Sequence, residues 1–139
     1  MVLADFTIGV DLEPPRDVRV VVYDSVKGLR MAASRWDGSR GNFSDTLGVC
    51  HSFVGGPVVN GEHLVEPLCA IVRLAEPNLG VGIISHEMAH AAVWIRELSE
   101  GAELRPLRTG DDEEFCWLLG ELVRKAINGM DAAGVYDRG

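Results

Sequence analysis

Two histidines one helical turn apart flank a glutamate in the run His86-Glu87-Met88-Ala89-His90. Four residues make about one turn of α-helix, so both imidazoles project from one face and can share a metal ion. Glu87 lies about 100° further round, placed to touch a water on that ion. Two neutral imidazoles and a carboxylate that accepts a proton from a metal-activated water are the parts of metal-assisted hydrolysis. The chain has four histidines and two of them are here, so the ligand chemistry is concentrated in this segment.

The elements that must position these groups fit in one domain, residues 1–139, long enough for a real core but not for two. The formal charge of −8 argues against nucleic acid or an anionic membrane as the main partner, because phosphate neutralisation needs clustered Lys and Arg. Part of that acidity is local, in Asp111-Asp112-Glu113-Glu114. The N-terminal run has no basic region and no long apolar stretch, so it does not read as a signal peptide, and no segment reaches the length of a membrane span. Three widely spaced cysteines, Cys50, Cys69 and Cys116, suggest reduced thiols and a cytoplasmic setting, and each reads as a buried, inert thiol.

Along the chain, the β-branched run from Asp17 to Tyr23 reads as a strand, after the turn signal Pro14-Pro15. Asp24-Ser25 can cap a helix with Val26, Leu29, Ala33 and Trp36 on one side. A loop from Trp36 to Asn42 leads to a strand from Phe43 to Phe53. Gly55-Gly56-Pro57 and Asn60-Gly61 then mark turns around a short extended piece. Leu68–Leu74 is the next strand, broken at Pro77-Asn78. A long helix from about Leu79 to Leu98 carries the histidines on one face and Ile84, Met88, Ala91, Ile95 and Leu98 on another. After a loop punctuated by Gly101 and Pro106, a last helix runs from Asp111 to Asn128-Gly129, with Phe115, Leu119, Leu122, Val123 and Ala126 as its apolar face. The order β-α-β-β-α-α defines an α+β domain.

Catalytic zinc takes three protein ligands and leaves a position for water. The extended pattern with Gly at position 93 and His at 96 is excluded, since the chain has Val93 and Arg96. The acidic first turn of the last helix is the better source. Glu113 borders the buried side there, ahead of Glu114, which fits a capping box begun at Asp111, and Asp112, whose side chain is shorter.

His86-Glu87-x-x-His90 followed after a short gap by a helical Glu113 resembles the gluzincin branch of the zincin metallopeptidases, in its compact single-domain form. The run Glu113-Glu114-Phe115-Cys116-Trp117-Leu118-Leu119-Gly120 is similar to that branch's pattern after the ligand Glu, with Cys116 and Gly120 at the small positions. The resemblance spans roughly residues 68–127. It implies a sheet packed on the helix that bears the histidines, a C-terminal helix that bears the ligand Glu, and Zn2+ held by His86, His90 and Glu113. It also implies a peptide or protein substrate extended along an edge strand, either Leu68–Leu74 or Phe43–Phe53, with Glu87 as general base. The chain departs from larger members where Trp117 replaces an Asp that holds the first histidine. No oxyanion donor is identified by pattern; Tyr136 and His63 are the options.

Two other readings are open. A deformylase-like enzyme would use Cys50 as third ligand, although the residues around Cys50 match that family's loop poorly. A non-catalytic zinc domain would bind a protein partner in a regulatory role. His51 and His63 read as ordinary loop or core histidines, and Trp94 and Trp117 as packing residues.

Overall fold

The computed structural model describes residues 1–12, 14–38, 43–53, 58–59, 62–63, 67–100 and 109–136. The strands are β1 (Val2–Val10), β2 (Arg16–Tyr23), β3 (Gly48–Ser52), β4 (Val58–Val59), β5 (Glu62–His63) and β6 (Leu68–Ala75). The helices are α1 (Val26–Trp36), α2 (Val81–Glu100) and α3 (Thr109–Ala132). β1, β2, β6 and β3 form one mixed sheet in that spatial order, and β4 and β5 make a separate two-stranded pair. β1 runs antiparallel to β2, β2 parallel to β6, and β3 antiparallel to β6. The domain is α+β, as the residue pattern implies.

The order differs from expectation by β1 at the start and by the short pair β4 and β5 between β3 and β6. The inward residues of β1, Ala4, Phe6, Ile8 and Val10, alternate with Asp5, Thr7 and Gly9, which is the period of a half-covered edge strand. The strand expected at Phe43–Phe53 is shorter, because Phe43–Leu47 turns: the Thr46 amide donates to the Phe43 carbonyl at 3.2 Å. Ser44 and Asp45 favour that turn over an extended ladder. The turns expected at Gly55-Gly56-Pro57 and Asn60-Gly61, residues 39–42 of the first loop, and the loop with Gly101 and Pro106 lie outside the described residues.

The sheet is covered on both faces. Val18, Val20 and Val22 of β2 and Ala70, Val72 and Leu74 of β6 meet α2 and α3. Val21, Tyr23 and Ile71 turn the other way, towards Leu29 and Ala33 of α1. A strand buried on both sides reads as an unbroken apolar run, and β2 is one. The Ser25 hydroxyl caps α1 by accepting from the Gly28 amide at 3.0 Å, as its position in the sequence predicts. Among the described residues no helix is long and apolar enough to cross a membrane.

α3 begins at Thr109, so Asp111 lies inside the helix and not at its cap. Its far end also differs. The helix passes through Gly129 and closes at Gly134, whose φ of 76° lies in the left-handed region. The Gly134 amide donates to the Asp131 carbonyl and the Val135 amide to that of Met130, both at 3.0 Å, which together make a Schellman cap. Gly129 serves packing instead: a Cβ there would overlap the ring of Phe6 from β1. Gly129→Ala is therefore expected to cost about 1–3 kcal/mol by overpacking. In Gly120→Ala the new methyl meets nothing within 4 Å, and it should stabilise by about 0.5–1 kcal/mol through helix propensity. Urea denaturation of the two variants beside the parent checks the opposite signs.

Candidate metal centre

α2 places its functional groups by helical period. Ile84, Met88, Ala91 and Ile95 are fully buried against the sheet. The adjacent face carries His86, His90, Val93, Trp94 and Glu97, which line a cleft of about 440 Å³ with Phe43, Thr46, Gly48, Val49, Cys50 and Ser52. The second wall is β3, an edge strand. Gly48, Cys50 and Ser52 face the cleft by strand alternation, while His51 turns to the α1 side. Of the two strands considered as an edge, β6 is interior, paired on both sides.

The histidine Nε2 atoms are 3.3 Å apart, with the rings at 81° and centroids 4.9 Å apart. A tetrahedral ion bonded to two imidazoles at about 2.0–2.1 Å sets its two nitrogens about 3.3–3.4 Å apart. The pair therefore meets the spacing that zinc requires of two of its ligands. Both side chains are open to solvent, so an ion can reach them.

Glu87 is the reverse. It is 5% exposed, and its Oε1 lies 3.9 Å from His86 Nε2. Burial is the main influence on the carboxyl and raises its pKa above the usual range, while His90 and His86 act in the opposite direction. Gly48 makes this position possible. A Cβ on residue 48 would stand 3.1 Å from Glu87 Cγ, 3.2 Å from Oε1 and 3.3 Å from Ile83 Cγ2, tighter than packing normally allows. A buried carboxyl beside two convergent imidazoles suits proton transfer.

The third ligand is not brought to this pair. Glu113 sits near the start of α3 with its side chain exposed, not on the buried side, and Glu114 is exposed as well. Neither lines the cleft, and among the described residues no group of three His, Cys, Asp or Glu side chains is gathered closely enough to hold an ion. The side chains of Asp111, Asp112 and His63 lie outside those described. Cys50 does line the cleft, where burial pushes its thiol up to about 12.

Other expectations fare unevenly. Cys69 is buried, with its thiol donating to the Asp17 carbonyl at 3.5 Å, whereas Cys116 is exposed on α3. Trp94 packs half-buried and donates from Nε1 to the Phe53 carbonyl at 3.1 Å. Trp117 is 55% exposed, because its position faces away from the stripe formed by Leu118, Leu122 and Ala126. His51 is structural: it packs on Trp36, its Nε2 accepts from Arg73 Nε at 3.1 Å, and burial together with Arg73 pushes its pKa down to about 3. Tyr136 lines depressions with Asp131 and with Arg124, away from the histidines, so it is not placed as an oxyanion donor. Arg96, two residues after Trp94, is buried and outside the cleft lining. Sequence reading passed over Gly48, Thr46, Ser52 and Glu97. Only Glu97 carried a signal, since it lies seven residues after His90 on the same helical face.

The raised Glu87 value fixes a pH dependence. The folded protein holds this proton more tightly than the unfolded chain. Stability at this site therefore falls as pH rises from the ordinary carboxylate range through the folded pKa, and the penalty is fully present above it. Glu87→Gln has no charge to desolvate. The chelator-treated variant should melt at a higher temperature than the chelator-treated parent at pH 8, with the difference vanishing near pH 4; thermal scans across that range check it.

Comparison with protein-family models, with curated proteins and with solved structures finds no match, so the assignment of this cleft rests on its own geometry.

Proposed function

We propose that the chain is a small zinc-dependent hydrolase, a metallopeptidase of zincin-like architecture, with His86 and His90 as ligands and Glu87 as general base. The observation that carries this reading is the 3.3 Å separation of two imidazole nitrogens with a buried carboxylate beside them. When bound, zinc would supply Lewis acidity and lower the pKa of a water towards about 7. Glu87 would take the proton from the attacking water and pass it to the departing amide nitrogen. Its burial supports this role, because desolvation raises the carboxyl's pKa and makes it a stronger base than an exposed carboxylate. The edge strand β3 supports an extended substrate, because no described strand pairs with its outer side along the cleft.

Glu113 is our third ligand on the spacing from the histidines and on the resemblance of the α3 run. A second arrangement, with Cys50, is favoured by one observation: Cys50 lines the cleft and Glu113 does not. Metal content separates them. Untagged protein purified without added metal should hold about one zinc per chain by plasma mass spectrometry. His86→Ala and His90→Ala should each remove it, and Glu113→Ala should reduce it sharply. Retention in Glu113→Ala with loss in Cys50→Ala would transfer the ligand to β3. A parent that takes up no zinc, even when it is supplied, would falsify the metal site.

Turnover is tested on the metal-loaded protein with a pool of unstructured peptides. Glu87→Gln should retain zinc and lose about 100-fold or more in rate, the scale of losing a general base. A metal-loaded parent that cleaves nothing in the pool would point to a zinc domain that binds a protein partner without cleaving it.

A further inference from the structure

The cleft carries charge and aromatic surface that hydrolysis does not use. Apart from His86, Glu87 and His90, its described walls hold one charged side chain, Glu97, and no Lys or Arg. Glu97 lies seven positions after His90, about two turns along the same face of α2 and about 10.5 Å further down the axis. Trp94 stands between them. The bond from its indole Nε1 to the Phe53 carbonyl fixes the ring as part of the wall, and Phe43 lines the same space. Among the described residues Glu97 forms no ion pair.

We propose that Glu97 and Trp94 form a subsite for a cationic side chain, so that the segment taken into the cleft carries Lys or Arg about three residues from the histidine pair. This rests on the reading of the cleft as a peptide site. A carboxylate attracts an ammonium or guanidinium group, and an indole face holds the same group through its quadrupole. An extended peptide advances about 3.3 Å per residue, so one that follows the axis of α2 brings its third residue from the ion opposite Glu97. The apolar stem of Lys or Arg can lie on Trp94 while the head reaches the carboxylate. A neutral or acidic side chain finds no such partner there.

The test reads binding apart from cleavage. Blocked alanine heptapeptides carrying one Lys, one norleucine or one Glu at each position in turn are titrated by fluorescence anisotropy against the full chain bearing Glu87→Gln. Lys at one position should bind about tenfold more tightly than norleucine, the scale of a partly shielded cation in an aromatic and acidic site. Adding Glu97→Gln should bring that ratio close to one, and Glu97→Lys should invert the preference towards the Glu peptide. A ratio near one at every position, a ratio that Glu97→Lys does not move, or no binding by any peptide overturns the subsite. Cleavage is measured separately on the Glu87 chain. Charge-selective binding without turnover would remove the hydrolase reading and keep the subsite. Turnover indifferent to charge would keep the hydrolase and remove the subsite.

Discussion

The structure depends on how α2 divides its circumference. Ile84, Met88 and Ile95 are fully buried against the sheet, and each large apolar side chain withdrawn from water contributes about 1.5–3 kcal/mol. That stripe fixes the rotation of the helix about its own axis. With 3.6 residues per turn, the histidines and Glu97 must then emerge on the neighbouring face, and Glu87 must fall at the boundary between core and cleft. The cost of burying a carboxylate is thereby offset by packing that has nothing to do with chemistry. A helix held less firmly would roll and carry Glu87 into water.

The sheet supplies the second constraint. Its central strands β2 and β6 are apolar on both faces, so helices must cover both. α1 takes one face and the pair α2 and α3 the other. Among the described strands β3 then has one neighbour, β6, and it lines the cleft beside the helix that carries the histidines. Close approach across this boundary is achieved by removing a side chain and not by moving the backbone. Gly48 admits Glu87 on one side of the layer, as Gly129 admits Phe6 on the other.

Most of this was legible in the residue pattern, for physical reasons. The α2 stripe, the Ser25 cap and the β-branched strands follow from local periodicity and hydrogen-bonding chemistry, and all formed where expected. β1 has a weaker local signature, because an edge strand covered on one face alternates apolar and polar residues where β2 runs unbroken. Gly129 has the local look of a helix stop because glycine is common there, yet its role depends on Phe6, more than a hundred residues away. The exposure of Glu113 and Trp117 has the same origin. Which side of α3 meets α2 is a tertiary fact, and the spacing of acidic residues near a helix start does not encode it. The histidine pair was readable because both residues lie on one turn, whereas a ligand from another element has no such local signature.

The parallel pairing of β2 with β6 has a consequence for what sets the sheet in register. Residues 24 to 67 lie between these neighbours in the chain, and they include α1 and the cleft wall β3. Closing such a span costs entropy that grows only with the logarithm of its length, about 0.6 kcal/mol for each doubling. The length of this span therefore weighs little on whether β2 and β6 pair, and their register is set by the side chains that the two strands bury on both faces.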